Sequence, residues 1–417
     1  MDSKHLSKSP VFPTEIIELI IDHLQGDIVA LTRISGTSHT ILHSCRGRLF
    51  RSVNLSIPPI SYTFMRLFRY NPNIGQYVRE LALNVNALAS YWIHGKQKRD
   101  SADAETIQIL KQTPFVEKLS IHGSICPLTS WNSLQPILQQ LILNRIHSAS
   151  LTELSIYNFG IPVTILRSCA NLSALTIIQV KDSGRAEPID QARMSPCSPQ
   201  PLNIPQLRSF ELGKSSNAFA LELVHYRDSD GHPLVRFNQL KTLIVHYHHE
   251  METLVIKDIC KEAIGLETFA CREITEATQW PDFSRFSTLK TLKGQCSHPS
   301  SSGDLLLGLC EKLQMLPEPN VLESLDIEIL MPVFWDREII STRNEWVQLD
   351  VVLSRGFPRL YRVSINIVFP YHPGNPDPES AELREEVGMA RKRLFWLNEN
   401  AAVKFNFSMR LPSKGRH

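Results

Sequence analysis

No apolar run in this chain approaches the roughly 18 residues that a membrane-crossing helix needs, and its opening, MDSKHLSKSPVF, holds no apolar centre of a secretory leader. Charge of neither sign dominates. The 44 basic residues face 42 acidic ones, a formal net charge of +2, so neither nucleic acid nor an anionic membrane surface meets an electrostatic counterpart here. Cysteine pairing is missing too: the eight cysteines, at 45, 126, 169, 197, 260, 271, 296 and 310, show no Cys-x-x-Cys and no tight framework. That usage fits reduced thiols in the cytoplasm or nucleus, several of them filling the core. There is no Gly-rich phosphate loop, no Gly-x-Ser-x-Gly elbow and no His-Glu-x-x-His helix. No catalytic residue, metal or cofactor is therefore assigned, and the chain is expected to be non-enzymatic.

What the chain does have is a dense apolar stretch at residues 12–53, FPTEIIELIIDHLQGDIVALTRISGTSHTILHSCRGRLFRSV. Pro13 suits an opening helical turn, and Ile16, Ile17, Ile20, Ile21 and Leu24 follow at three- and four-residue spacings. Asp27 is placed to cap a second helix with Ile28, Leu31 and Ile34 on one side, and a third is expected from Ser38 towards Leu49 and Phe50. Three short helices cannot bury so many isoleucines and leucines among themselves. Either the rest of the chain covers them or a partner's helices do.

The run FPTEIIELIIDHL resembles the opening of an F-box, and GRLFRSV at residues 47–53 is similar to the end of the fungal subtype, which leads into a first strand. The middle departs from the family pattern at Gly36, Thr37 and Ile41. The resemblance implies docking on the Skp-type adaptor of an SCF ubiquitin ligase. By position it names Pro13, Ile16, Ile17, Ile20, Ile21, Leu24 and Leu31 as adaptor-binding residues.

Beyond the helices, a short pattern returns about ten times: VRELALNV (78–85), VEKLSIHG (116–123), LTELSIYN (151–158), LSALTIIQ (172–179), LRSFELGK (207–214), LKTLIVHY (240–247), LETFACRE (266–273), LKTLKGQC (289–296), LESLDIEI (322–329) and LYRVSINI (360–367). Each ends in the two-residue alternation of a strand with one buried face. Helical stretches separate several copies, namely 131–146, 252–264, 304–316 and 344–353. Strand and helix in alternation predict parallel strands backed by helices. The interval wanders between roughly 21 and 38 residues, so the fold class is α/β, a short three-helix module followed by an irregular leucine-rich-repeat-like solenoid or horseshoe. The pattern resembles the leucine-rich repeats with which F-box proteins often read substrates.

Domain limits follow: 1–11 a flexible start, 12–53 the helical module, 54–411 the repeat region and 412–417 a tail. Residues 181–205, rich in proline, serine and charge, are expected to form a mobile loop, in which Ser195 and Ser198 each precede a proline. Asp377 and Pro378 open a C-terminal helix that presents Leu383, Val387, Ala390, Leu394 and Leu397 on one face, and Val403, Phe405 and Phe407 alternate as a closing strand. Together they would cap the array.

If the Leu-x-Leu side chains point inward, the intervening ones line the opposite strand face. Candidate target-binding residues there are His122, Tyr157, Ile178, Ile244, His246, Arg272, Gln295, Glu328 and Asn366. Their mixture of both charge signs with Tyr and Ile suits either a protein partner or ordinary solvated surface. The cluster His246, His248, His249 and Glu250 reads as a polar rim at a strand end. The two functions that fit are a substrate receptor of a ubiquitin ligase and a repeat scaffold or sensor without that link.

Overall fold

Each of the ten repeated segments holds a strand, because each buries alternate side chains, and the strands paired within each unit run in the same direction. The computed structural model describes residues 13–55, 58–85, 106–124, 129–181, 204–246, 250–275, 278, 280–297, 304–331, 344–369 and 381–410. The chain divides into two compact units, Met1–Ser155 and Ile156–His417. No described helix is long and apolar enough to cross a membrane.

The first unit opens with α1 (Thr14–His23), α2 (Ile28–Ser35) and α3 (His39–Leu49). The Pro13 carbonyl accepts from the amides of Ile16 and Ile17 at the start of α1, and the Asp27 carboxylate caps α2 by accepting from Ala30 N at 2.9 Å. Ile21, Leu31 and Cys45 form the centre of this bundle, with Ile17, Leu24, Ile34, Ile41 and Leu49 packed around them.

Strand β1 (Ser52–Asn54) and helix α4 (Pro58–Tyr70) follow, then β2 (Glu80–Asn84), β3 (Lys118–His122) and the two-residue β4 (Thr129–Ser130). β1, β2 and β3 pair in parallel, Val53 beside Leu81 and Leu81 beside Leu119. The Arg51 carbonyl accepts from Arg79 N and Glu80 N, and His43 Nδ1 lies 2.9 Å from the Tyr77 hydroxyl. The first bonds continue the β1–β2 pairing, and the second ties α3 to the 3-10 turn (Pro72–Tyr77) that leads into β2.

The helix expected over 131–146 is split. Residues Trp131–Ser133 form a 3-10 turn, Gln135 is held extended by the proline after it, and an α-helix runs Pro136–Ile146.

β5 (Glu153–Tyr157) carries the boundary between units. In the second unit β6 (Phe159–Gly160) is short, and β7 (Ala174–Ile178), β8 (Ser209–Leu212), β9 (Thr242–His246), β10 (Thr268–Ile274), β11 (Thr291–Ser297), β12 (Ser324–Leu330), β13 (Arg362–Val368) and β14 (Lys404–Arg410) pair in parallel in sequence order, a solenoid-like α/β arrangement. One core layer runs Leu175, Phe210, Leu243, Phe269, Leu292, Leu325, Val363, Phe405 across these strands. A second runs Ile177, Leu212, Val245, Cys271, Gly294, Ile327, Ile365, Phe407. The gap at Gly294 is filled by the buried Trp280: a Cβ on Gly294 would stand 2.1 Å from its ring.

Among the helices of this unit are Asn217–His225, Glu250–Glu262, Leu309–Gln314 and Glu345–Gly356. The helix expected from 304 starts only at Leu309, because the Asp304 carboxylate accepts from the amides of Leu306 and Gly308 and Gly308 turns left-handed at φ 77°. At the C-terminal end a helix at Ala381–Arg393 and a short one at Phe395–Glu399 bury Ala390, Leu394 and Leu397, and half-bury Val387. The buried Asp350 carboxylate accepts from Trp396 N at 2.9 Å and Leu397 N at 3.1 Å, capping the short helix from a distance. Asp377, Pro378 and the side chain of Leu383 lie outside the described residues, as do Ser195, Ser198, His248 and His249.

Candidate docking surfaces

Helix α1 has two apolar faces. Ile17, Ile21 and Leu24 turn inward against Leu31, while Ile16, Leu19 and Ile20 turn outward and are 42%, 59% and 48% exposed. At the start of α2, Ile28 and Val29 are 69% and 60% exposed. The spacing explains the outward set, since positions three and four apart share one side of a helix. Of the residues named from sequence, Pro13, Ile16 and Ile20 are therefore open to a partner, Ile17 and Leu24 half-buried, and Ile21 and Leu31 sealed in the bundle. Those last two can act on docking only by holding the helices in place. Leu19 and Val29 were not named from sequence, although Leu19 follows Ile16 by three residues, and Ile28, expected on one side with Leu31 and Ile34, is exposed while Leu31 is buried.

In the second unit the intervening strand positions form a polar face. Thr176, Glu211, Ile244, Ala270, Lys293, Asp326, Ser364 and Asn406 lie in one register row. The next row places His246 beside Arg272, and Gln295, Glu328, Asn366 and Ser408 in line. Most of these side chains are half-buried, because neighbours on adjacent strands stand close enough to lean on one another. Gln295 Nε2 donates to Glu328 at 2.5 Å, Ser408 donates to Asn366 Oδ1 at 2.6 Å, and Asn366 Nδ2 donates to the buried Ser364 hydroxyl.

Glu211, missed in the sequence although the fifth repeat puts it on this face, lies 3.3 Å from His246 Nε2. That hydrogen bond, with the charges of His246 and Arg272, holds the Glu211 carboxyl below its ordinary value against the opposing effect of burial. Arg272 and Lys293 are exposed cations, and Glu273, next to Arg272 in the chain, pairs with Lys214. Ile244, His246, Arg272, Gln295, Glu328 and Asn366 thus share one face, with Ile178 at the end of β7 packed against Gly213. Tyr157 is half-buried on β5. His122 belongs to the first unit, on β3, where burial lowers its imidazole below the ordinary value.

Among the described residues one group has the spacing of metal ligands: side-chain atoms of Asp228, Asp230 and His232 lie within 4.8 Å of one another. The Asp228 carboxylate is already committed, accepting from the amides of Asp230 and His232 and from Arg167. It braces a turn. Burial raises the thiols of Cys169, Cys260 and Cys310 to about 12, the pattern of inert core cysteines.

No family model matches this chain, and no curated protein matches it. Among solved structures, the crystal structure of a Bacteroides fragilis protein aligns over 86% of this chain and 84% of its own, at 10% identity and a TM-score of 0.35.

Proposed function

We propose that this chain is a non-catalytic substrate receptor, whose α1 and α2 dock on the Skp-type adaptor of an SCF ubiquitin ligase while the strand face of the second unit binds a target protein. The observation that carries the proposal is the outward apolar set Ile16, Leu19, Ile20, Ile28 and Val29 on a bundle whose own centre is already filled by Ile21, Leu31 and Cys45. Water-facing apolar groups grouped on one side of a small module favour a protein partner. The F-box-like run from Pro13 to Leu24 names which partner.

The polar face fits a protein better than a nucleic acid. It mixes Arg272 and Lys293 with Glu211, Asp326 and Glu328, and adds Ile244. The complex would act by bringing the target into reach of the transfer machinery, so its effect on rate comes from proximity. Such a receptor works in the cytoplasm or nucleus, where the core thiols, outside any disulfide among the described residues, stay reduced.

Co-expression with the adaptor tests the docking half. The unaltered chain is expected to retain the adaptor through purification, and Ile16→Asp and Ile20→Asp to release it. Equal recovery of all three would overturn the assignment. The rival, a repeat scaffold with no ligase link in which the helices cap the first strand, draws support from the contact of His43 in α3 with the Tyr77 hydroxyl just before β2.

A further inference from the structure

A cleft of about 310 Å³ opens in the first unit between α1, α3 and the segment leading into β2. Its wall carries Arg48, Arg51 and Arg79 with His43 and Tyr77, and one carboxylate, Glu18. From this convergence we propose that the cleft is a binding site for a small phosphate-bearing ligand.

The cations are there for local reasons. Arg46 and Arg48 occupy the last turn of α3, where unpaired carbonyls favour positive charge, and α3 holds no acidic residue to offset them. Arg48 is committed, its Nε donating to Asp22 at 2.6 Å. The carboxylate contacts of Arg51 and Arg79 are longer. Both side chains reach the Glu117 carboxylate, at 3.8 Å and 3.5 Å, longer than the roughly 2.7–2.9 Å of a charge-assisted hydrogen bond. Arg79 is fixed by donating to the carbonyls of Gln76 and Val78 and by lying over the Phe115 ring, so its guanidinium is held in position before any ligand arrives.

Three planar guanidiniums around one cleft, with the Arg51 fork held only by its long contact to Glu117, gather positive charge and N–H donors that match the oxygens of a phosphate group. The volume is at the small end of ligand sites, enough for one or two phosphates with a short organic body. Ser44 and the Tyr77 hydroxyl add neutral donors on the same wall.

Gly47 supplies the control. It lines the cleft within α3, and a Cβ built on it meets nothing within 4 Å. A side chain at that position would fill the cleft from a helix that tolerates it better than glycine.

Titration calorimetry on the full chain, with inorganic phosphate and pyrophosphate as probes at physiological ionic strength, decides the matter. The unaltered chain is expected to bind pyrophosphate at one site and more tightly than phosphate. Gly47→Gln should abolish binding with the fold intact by circular dichroism. Arg51→Gln, which among the described residues breaks the long contact to Glu117, should weaken it about tenfold, and Glu18→Gln should tighten it. No saturable binding by the unaltered chain, or binding that survives both Gly47→Gln and Arg51→Gln, overturns the proposal.

Discussion

Neighbouring isoleucines on α1 separate what holds the N-terminal helices together from what they offer to a partner. Ile21 is 1% exposed at the centre of the bundle and Ile20 is 48% exposed on its outer side. Ile21→Ala removes three carbon groups from a packed interior at about 0.8 kcal/mol each and leaves a cavity, a loss of about 3 kcal/mol. The same substitution at Ile20 removes groups already half in water and leaves no cavity, a loss of about 1 kcal/mol or less. Hydrogen exchange of the α1 to α3 amides, with urea denaturation of the full chain, measures both. Ile21→Ala should speed exchange across all three helices, and Ile20→Ala should leave them near the original rates. Equal destabilisation by the two would mean that Ile20 is covered within the chain and that the outward face is not free to dock.

Three further outcomes follow from the second unit. Gly294→Ala drives a methyl group to 2.1 Å from the Trp280 ring, whose Nε1 donates to Leu306 O at 3.0 Å, and should cost about 1–3 kcal/mol in denaturant midpoint and blue- or red-shift tryptophan emission. Asp350→Ala strands the amides of Trp396 and Leu397, a loss of about 3 kcal/mol that should appear first as faster exchange at those two amides. Glu211 contributes stability that is complete above its ordinary value of 4.5 and is lost as pH falls through its lower folded value, because His246, Arg272 and Thr176 favour the charged form. The stability gap between the unaltered chain and Glu211→Gln should therefore be widest near neutrality and narrow in acid; a gap independent of pH would contradict this.

Much of the strand array is legible in the sequence because its period is short and repeated. Residues such as Leu325 and Ile327 alternate with Asp326 and Glu328, and two-residue alternation has one structural outcome when one face is buried. Asp27 as a helix cap is legible for the same reason, its action being confined to three residues. What escaped depends on contacts distant in sequence. Ile20 and Ile21 are the same residue type one position apart, and only the placement of Leu31 and Cys45 decides which faces inward. The short helix at Leu309 is decided by Asp304 folding its carboxylate onto two following amides, a choice that apolar spacing does not register. The Arg48, Arg51 and Arg79 cleft is hidden altogether, since Arg51 and Arg79 stand 28 positions apart until β1 pairs with β2.

The receptor assignment is tested most directly by titrating the purified Skp-type adaptor into the full chain. Saturable binding is predicted for the unaltered protein, a loss of at least about tenfold for Ile20→Asp, and no change for Val347→Asp, which adds the same charge at an exposed apolar position in the second unit. Absence of binding by the unaltered protein, or equal affinity for it and Ile20→Asp, would contradict docking through α1.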